Sequence, residues 1–142
     1  FNLVHEYKSL ILYKNSTIEL KNRLVWRWQA DATIWSMRIA PVNPILVVEG
    51  RDEVLRAVHW VALDYAKREK LWSTQPDKKE WWRHLDDVTS NLVVLRKFES
   101  TLNPDQTSQE YLSLDAGVRT SAGGHNFVSH PRKLITLPER YE

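Results

Sequence analysis

The sequence predicts an α+β fold: a small antiparallel sheet of three to four strands with one or two helices packed on one face, followed by an extended C-terminal tail. Three observations lead there. The N-terminal third alternates apolar and polar residues with period two. Two stretches between Arg51 and Glu99 carry apolar side chains at helical spacing. Beyond Ser100 the periodicity is lost among Gly and Pro breaks.

Residues 3–13 (LVHEYKSLILY) read as a strand that ends at the turn signal Lys14-Asn15-Ser16. In residues 18–30, Trp26, Trp28 and Ala30 alternate with Arg27, Gln29 and Asp31, which gives a tryptophan face and a polar face. Residues 33–39 continue the alternation, with Thr33, Trp35, Met37 and Ile39 on one side and Ile34, Ser36 and Arg38 on the other. A pair of strands joined through Asp31-Ala32 is therefore expected. Pro41 and Pro44 keep the next link out of a ladder, and residues 45–48, apolar on both faces, read as an interior strand.

Residues 51–70 form the strongest predicted helix. Val54, Val58, Val61 and Tyr65 make one line and Leu55, Ala62 and Ala66 its neighbour. Asp52 and Glu53 fall in the first turn and Lys67, Arg68 and Lys70 in the last, as the helix dipole prefers. After Pro76 a second helix is expected over 77–99, with Trp81, Leu85, Val88 and Leu92 at helical spacing and Thr89-Ser90-Asn91 as its weak point. Residues 1–99 then form the core domain and 100–142 a partner-binding tail. The expected core is Trp35, Met37, Ile45, Val47, Val54, Val58, Val61 and Tyr65.

With 142 residues, 42% hydrophobic and 27% charged, the chain can bury one core. Its net charge of +2 gives no global field for nucleic acid. It has no cysteine, hence no disulfide and no thiolate metal site. The longest apolar run, 45–48, falls far short of the roughly 20 residues of a membrane helix, so no membrane span is expected. The chain opens on Phe1 rather than Met, so the sequence is processed, trimmed or numbered from an internal residue; if a presequence was removed, a mitochondrion or another organelle is the expected compartment. His5, His59, His84, His125 and His130 are scattered without an i,i+4 pair. No metal, other cofactor or small-molecule substrate is expected.

The run ILVVEGRDEV (45–54) resembles the first motif of the Toprim domain of topoisomerases and primases, where a strand delivers a glutamate at its tip. The resemblance implies a metal-dependent nucleic-acid enzyme with Glu49 as acid/base and metal-proximal carboxylate, and Glu53 near the position of a later acid. It also calls for an Asp-x-Asp pair on a second strand to hold magnesium. The acidic doublet here, Asp86-Asp87, is adjacent and lies inside a predicted helix. Read from the residues alone, Gly50 ends the strand, Glu49 is a solvated edge residue and Asp52 opens the helix.

Charge distribution favours binding over catalysis. Lys21, Arg23 and Arg27 accompany the tryptophan strand, and Arg119, His125, His130, Arg132 and Lys133 lie in residues 116–138, which contain no acid. Such residues beside aromatic rings suit phosphate contacts and base stacking. The tail's apolar side chains are too few to offset the roughly 1–2 kcal/mol lost per ordered residue, so a partner surface is expected to order it. The expected function is a non-catalytic structural or accessory subunit of a large assembly. That assembly is expected to be a ribonucleoprotein of the ribosomal kind, in which the chain contacts RNA and neighbouring proteins. The alternatives are the Toprim-like enzyme and an accessory subunit of a protein-only organellar complex.

Overall fold

The computed structural model describes residues 2–6, 8–16, 21–99 and 105–121, and over them the chain builds three antiparallel sheets. β1 (Asn2–Glu6), β2 (Ser9–Ser16) and β3 (Lys21–Gln29) make the first. β4 (Thr33–Ile39), β5 (Ile45–Asp52), β6 (Ala57–Asp64) and β7 (Glu69–Ser73) make the second. β8 (Arg83–Val88), β9 (Leu92–Phe98), β10 (Thr107–Ser113) and β11 (Arg119–Thr120) make the third. Each sheet is a meander in which sequence neighbours pair. A single 3-10 turn at Lys78–Glu80 is the only helical element among the described residues. The expected α+β architecture is thereby overturned: no helix packs on a sheet, and the segments 51–70 and 77–99, predicted helical, are strand hairpins. No helix in the described residues is long and apolar enough to cross a membrane.

The second sheet is the middle layer, and this explains why its sequence misleads. Alternate residues of β5 and β6 enter two different cores. Val47, Val58, Trp60 and Ala62 pack with Leu85, Val93, Leu95 and Leu112 of the third sheet. Leu46, Val48, Val61 and Leu63 pack with Leu3, Leu10 and Leu12 of the first. A strand buried on both sides loses its period-two signature and reads as a continuous apolar run, to which a helical stripe can be fitted by chance. Val58 and Val61, neighbours on the predicted helix face, point into opposite cores.

The turns complete the deception. In the β5–β6 turn the Asp52 carboxylate accepts the N–H groups of Val54 and Leu55, both at 3.0 Å. In the β6–β7 turn Asp64 accepts those of Ala66 and Lys67, at 3.0 and 2.9 Å. An acid bonding to amides two and three residues on is also how a helix N-cap works, so the local signal is shared. Both turns close on an arginine of positive φ, Arg56 at 53° and Arg68 at 60°. Where the β10–β11 turn needs the same conformation the chain supplies Gly117, φ 70°. A Cβ there would also meet the Trp72 ring at 2.4 Å.

Further expectations are corrected along the second sheet. β3 and β4 do not pair across Asp31-Ala32; that link passes from the first sheet to the second, and β4 pairs with β5. The ladder slips between Ile34 and Ser36, a bulge that leaves Trp35 unpaired opposite β5. Ile34, Met37 and Ile39 therefore share the core toward the first sheet, while Trp35, expected inside, is 47% exposed. Val54, also expected in the core, sits at a turn tip and is 92% exposed. Residues 107–113 and 119–120, assigned by sequence to the tail, form β10 and β11, and Leu112 and Leu114 enter the core. The tail beyond residue 121 lies outside the described residues.

The layering makes a test that a helix would fail. Val58→Ala and Val61→Ala should each cost about 1–3 kcal/mol, because both side chains are buried. Lying in separate cores, the two losses should add in the double variant to within about 0.5 kcal/mol in urea denaturation.

Candidate functional site

β5 carries Glu49 and Arg51 two residues apart, so both project from the face that meets the third sheet. They are 1% and 2% exposed. Glu49 Oε2 accepts from Arg51 Nε at 2.9 Å. Its Oε1 accepts from the Trp60 indole N–H at 3.1 Å and from the Leu85 backbone N–H at 2.6 Å. Arg51 spends its remaining donors on β8 and the residues before it: Nη1 reaches the Trp81 carbonyl at 2.9 Å, and Nη2 the Arg83 carbonyl. Nη2 also lies 2.9 Å from His84 Nδ1.

These contacts solve an edge problem. β8 is the terminal strand of the third sheet, and its outward backbone groups have no strand to pair with. Two side chains of the middle sheet supply what a strand would, a carboxylate for the Leu85 N–H and a guanidinium for the carbonyls of Trp81 and Arg83. Aromatic rings enclose the guanidinium: its carbon lies 5.6 Å from the Trp35 ring centroid and 4.9 Å from that of Trp81, and Arg56 adds a second cation 5.8 Å from Trp81.

Burial pushes the Glu49 carboxyl upward. The His84 ring, with Nδ1 at 3.8 Å, the charge and hydrogen bond of Arg51, and the Leu85 N–H outweigh it and hold the group below its ordinary 4.5. Glu49 is thus an anion built into the interior, with both oxygens committed to protein donors. The Toprim-like motif does not lead into the geometry it implies. The strand runs on through Gly50 and Arg51 to Asp52 and returns as β6, with no helix behind it. The reading of Glu49 as a solvated edge residue is corrected as well. Gly50 does not end the strand either; it lies beneath His59, whose Cε1 would be 2.5 Å from a Cβ. Among the described residues no group of three or more His, Asp or Glu is placed to hold a metal ion.

The sequence-derived binding residues are dispersed. Lys21 and Arg23 fall on β3, opposite Ser16 and Lys14 in register. Arg27, also on β3, is exposed, while its neighbours Trp26 and Trp28 pack on the core. Arg119 is on β11, in a cluster with Glu80, Glu110 and Arg83. His125, His130, Arg132 and Lys133 lie outside the described residues. The residues that do converge, Glu49, Arg51, Trp60, Trp81 and His84, were not grouped by sequence reasoning. The usable signal was Glu-Gly-Arg within an apolar strand, two opposite charges on one buried face. No family model, no curated protein and no solved structure matches the chain.

Glu49→Gln should cost on the order of 3 kcal/mol in chemical denaturation, because it strips Arg51 of its counter-charge in the interior. Since the folded-state pKa is depressed, Glu49 adds stability that is present above 4.5 and lost as pH falls below it. The variant should lack that part of the acid dependence.

Proposed function

We propose that the chain is a non-catalytic structural or accessory subunit of a larger assembly. One observation carries this reading: Glu49, the residue with the best sequence claim to catalysis, is consumed in joining two sheets. Surface composition supports contact with other molecules. Trp35 stands exposed on its bulge, Val54 and Leu55 at the tip of the β5–β6 turn, and Trp82 just before β8. Aromatic rings and apolar tips of this kind are what protein interfaces bury.

RNA remains a proposed partner through β3, whose Arg27 is exposed beside Trp26 and Trp28 and whose run includes Lys21 and Arg23. Arg119 would first have to leave Glu80 and Glu110. Fluorescence anisotropy with a labelled single-stranded RNA at rising salt tests this. A ribonucleoprotein subunit should bind, should weaken steeply with salt, and should lose roughly one unit of log–log salt slope for each phosphate-contacting cation removed from Lys21, Arg23 and Arg27. Absence of binding at low salt would leave a protein-only assembly.

Catalysis is tested separately by incubating the chain with single- and double-stranded DNA and RNA and magnesium. No cleavage or strand transfer is expected. Activity abolished by Glu49→Gln, with the variant still folded by circular dichroism, would overturn the subunit reading.

A further inference from the structure

The two interfaces of the middle sheet are built from different chemistry. The one facing the third sheet holds a compensated ion pair. The one facing the first sheet holds two histidines, one on each wall. His59 lies on β6 and alternates with Val61 and Leu63, which belong to that core, so it faces the first sheet; it is 5% exposed. His5 lies on β1 directly opposite Leu10 of β2, and Leu3, Leu10 and Leu12 face the same core. His5 thus enters the seam from the other side.

We propose that the seam between the first and second sheets is an acid-sensitive joint, closed when His5 and His59 are neutral and loosened when they take up protons. The surroundings favour the neutral rings. His59 covers the bare backbone of Gly50, occupying the space a side chain there would need. The described side chains packed into the seam include Leu3, Leu10, Leu12, Trp26 and Trp28 from the first sheet, and Ile34, Met37, Leu46, Val48, Val61 and Leu63 from the second, with Tyr65 against them. Among the described residues, the charged groups that face it stand at its margins: Asp31 on the β3–β4 link, Asp52 engaged in its turn, and Lys70 on β7, opposite Leu63. The titratable Tyr65 has its phenol pushed up by burial and by Asp64. Burial holds both imidazoles below the ordinary 6.5, and for His59 the Asp31 carboxylate opposes this in part.

The sign follows from linkage. A histidine whose folded-state pKa is depressed binds its proton better once exposed, so the closed seam loses stability as pH drops below 6.5. Both imidazoles act in the same direction. Glu49 does not weaken the other seam until pH falls below 4.5. Between these limits the first sheet should loosen while the second and third stay joined.

Hydrogen exchange of the full chain, followed by mass spectrometry and corrected for intrinsic rates, tests this between about pH 7.5 and about pH 5.5. Amides of β1–β3 should lose protection between these two pH values, while β8–β10 keep theirs. The double variant His5→Gln, His59→Gln should show no such loss. Asp31→Asn, an exposed change, leaves the histidines in place and removes the charge that favours the imidazolium in the closed seam. It should deepen the loss. Protection unchanged in the wild type would overturn the proposal, as would parallel loss in β8–β10 or an Asp31→Asn profile identical to wild type.

Discussion

The buried pair of Glu49 and Arg51 is the constraint around which the rest is arranged. A carboxylate and a guanidinium taken out of water are costly, and they persist only where each is compensated and the remaining hydrogen-bond capacity is used. Here the compensation comes from the partner charge, from the Trp60 indole, and from the backbone of the segment around β8. That fixes where β8 can lie relative to β5, and with it the stacking of the third sheet on the second. A slip of one residue along β8 would take the Leu85 N–H from Glu49 and the Trp81 and Arg83 carbonyls from Arg51, leaving buried polar groups short of partners.

The far end of the same interface is fixed by different means. Trp72 on β7 donates its indole N–H to the Leu114 carbonyl at 2.7 Å, and its ring rests on Gly117, where no side chain could fit. The first strands of the two sheets, β4 and β8, also lie close, with Arg38 reaching the Asp86 carbonyl at 3.3 Å. The two four-stranded meanders are thus stacked in the same order, β4 against β8 and β7 against the β10–β11 turn. Polar anchors hold this interface on both sides of its apolar centre, whereas the interface with the first sheet relies on apolar contact around neutral histidines.

The position of Glu49 shows how a short motif separates from its chemistry. An apolar strand followed by Glu-Gly and an acidic turn is compatible with an exposed catalytic tip or with an interior strut. The residues flanking the motif do not distinguish them. What distinguishes them is whether another layer covers that face of the strand, and the covering residues, Trp81 to Leu85, are about thirty positions away in sequence.

The sequence by itself determined much of the local conformation in the first half. Alternation revealed β3 and β4 and separated the tryptophan face of β3 from the face that carries Arg27, and the prolines at 41 and 44 marked the link before β5. Thr89-Ser90-Asn91, the weak point of the second predicted helix, is the β8–β9 turn, where Thr89 Oγ1 accepts the Leu92 N–H at 2.9 Å. Tertiary structure alone decided the class of the segments at 51–70 and 77–99. Burial on both faces erased the period of β6, and Asp52 and Asp64 make turn bonds that a helix start also makes. It alone decided the bulge that turns Trp35 outward and the register that brings Arg51 to the edge of β8. These choices depend on which surfaces meet across the layers, and a non-local pairing leaves no periodic trace in the residues on either side of it.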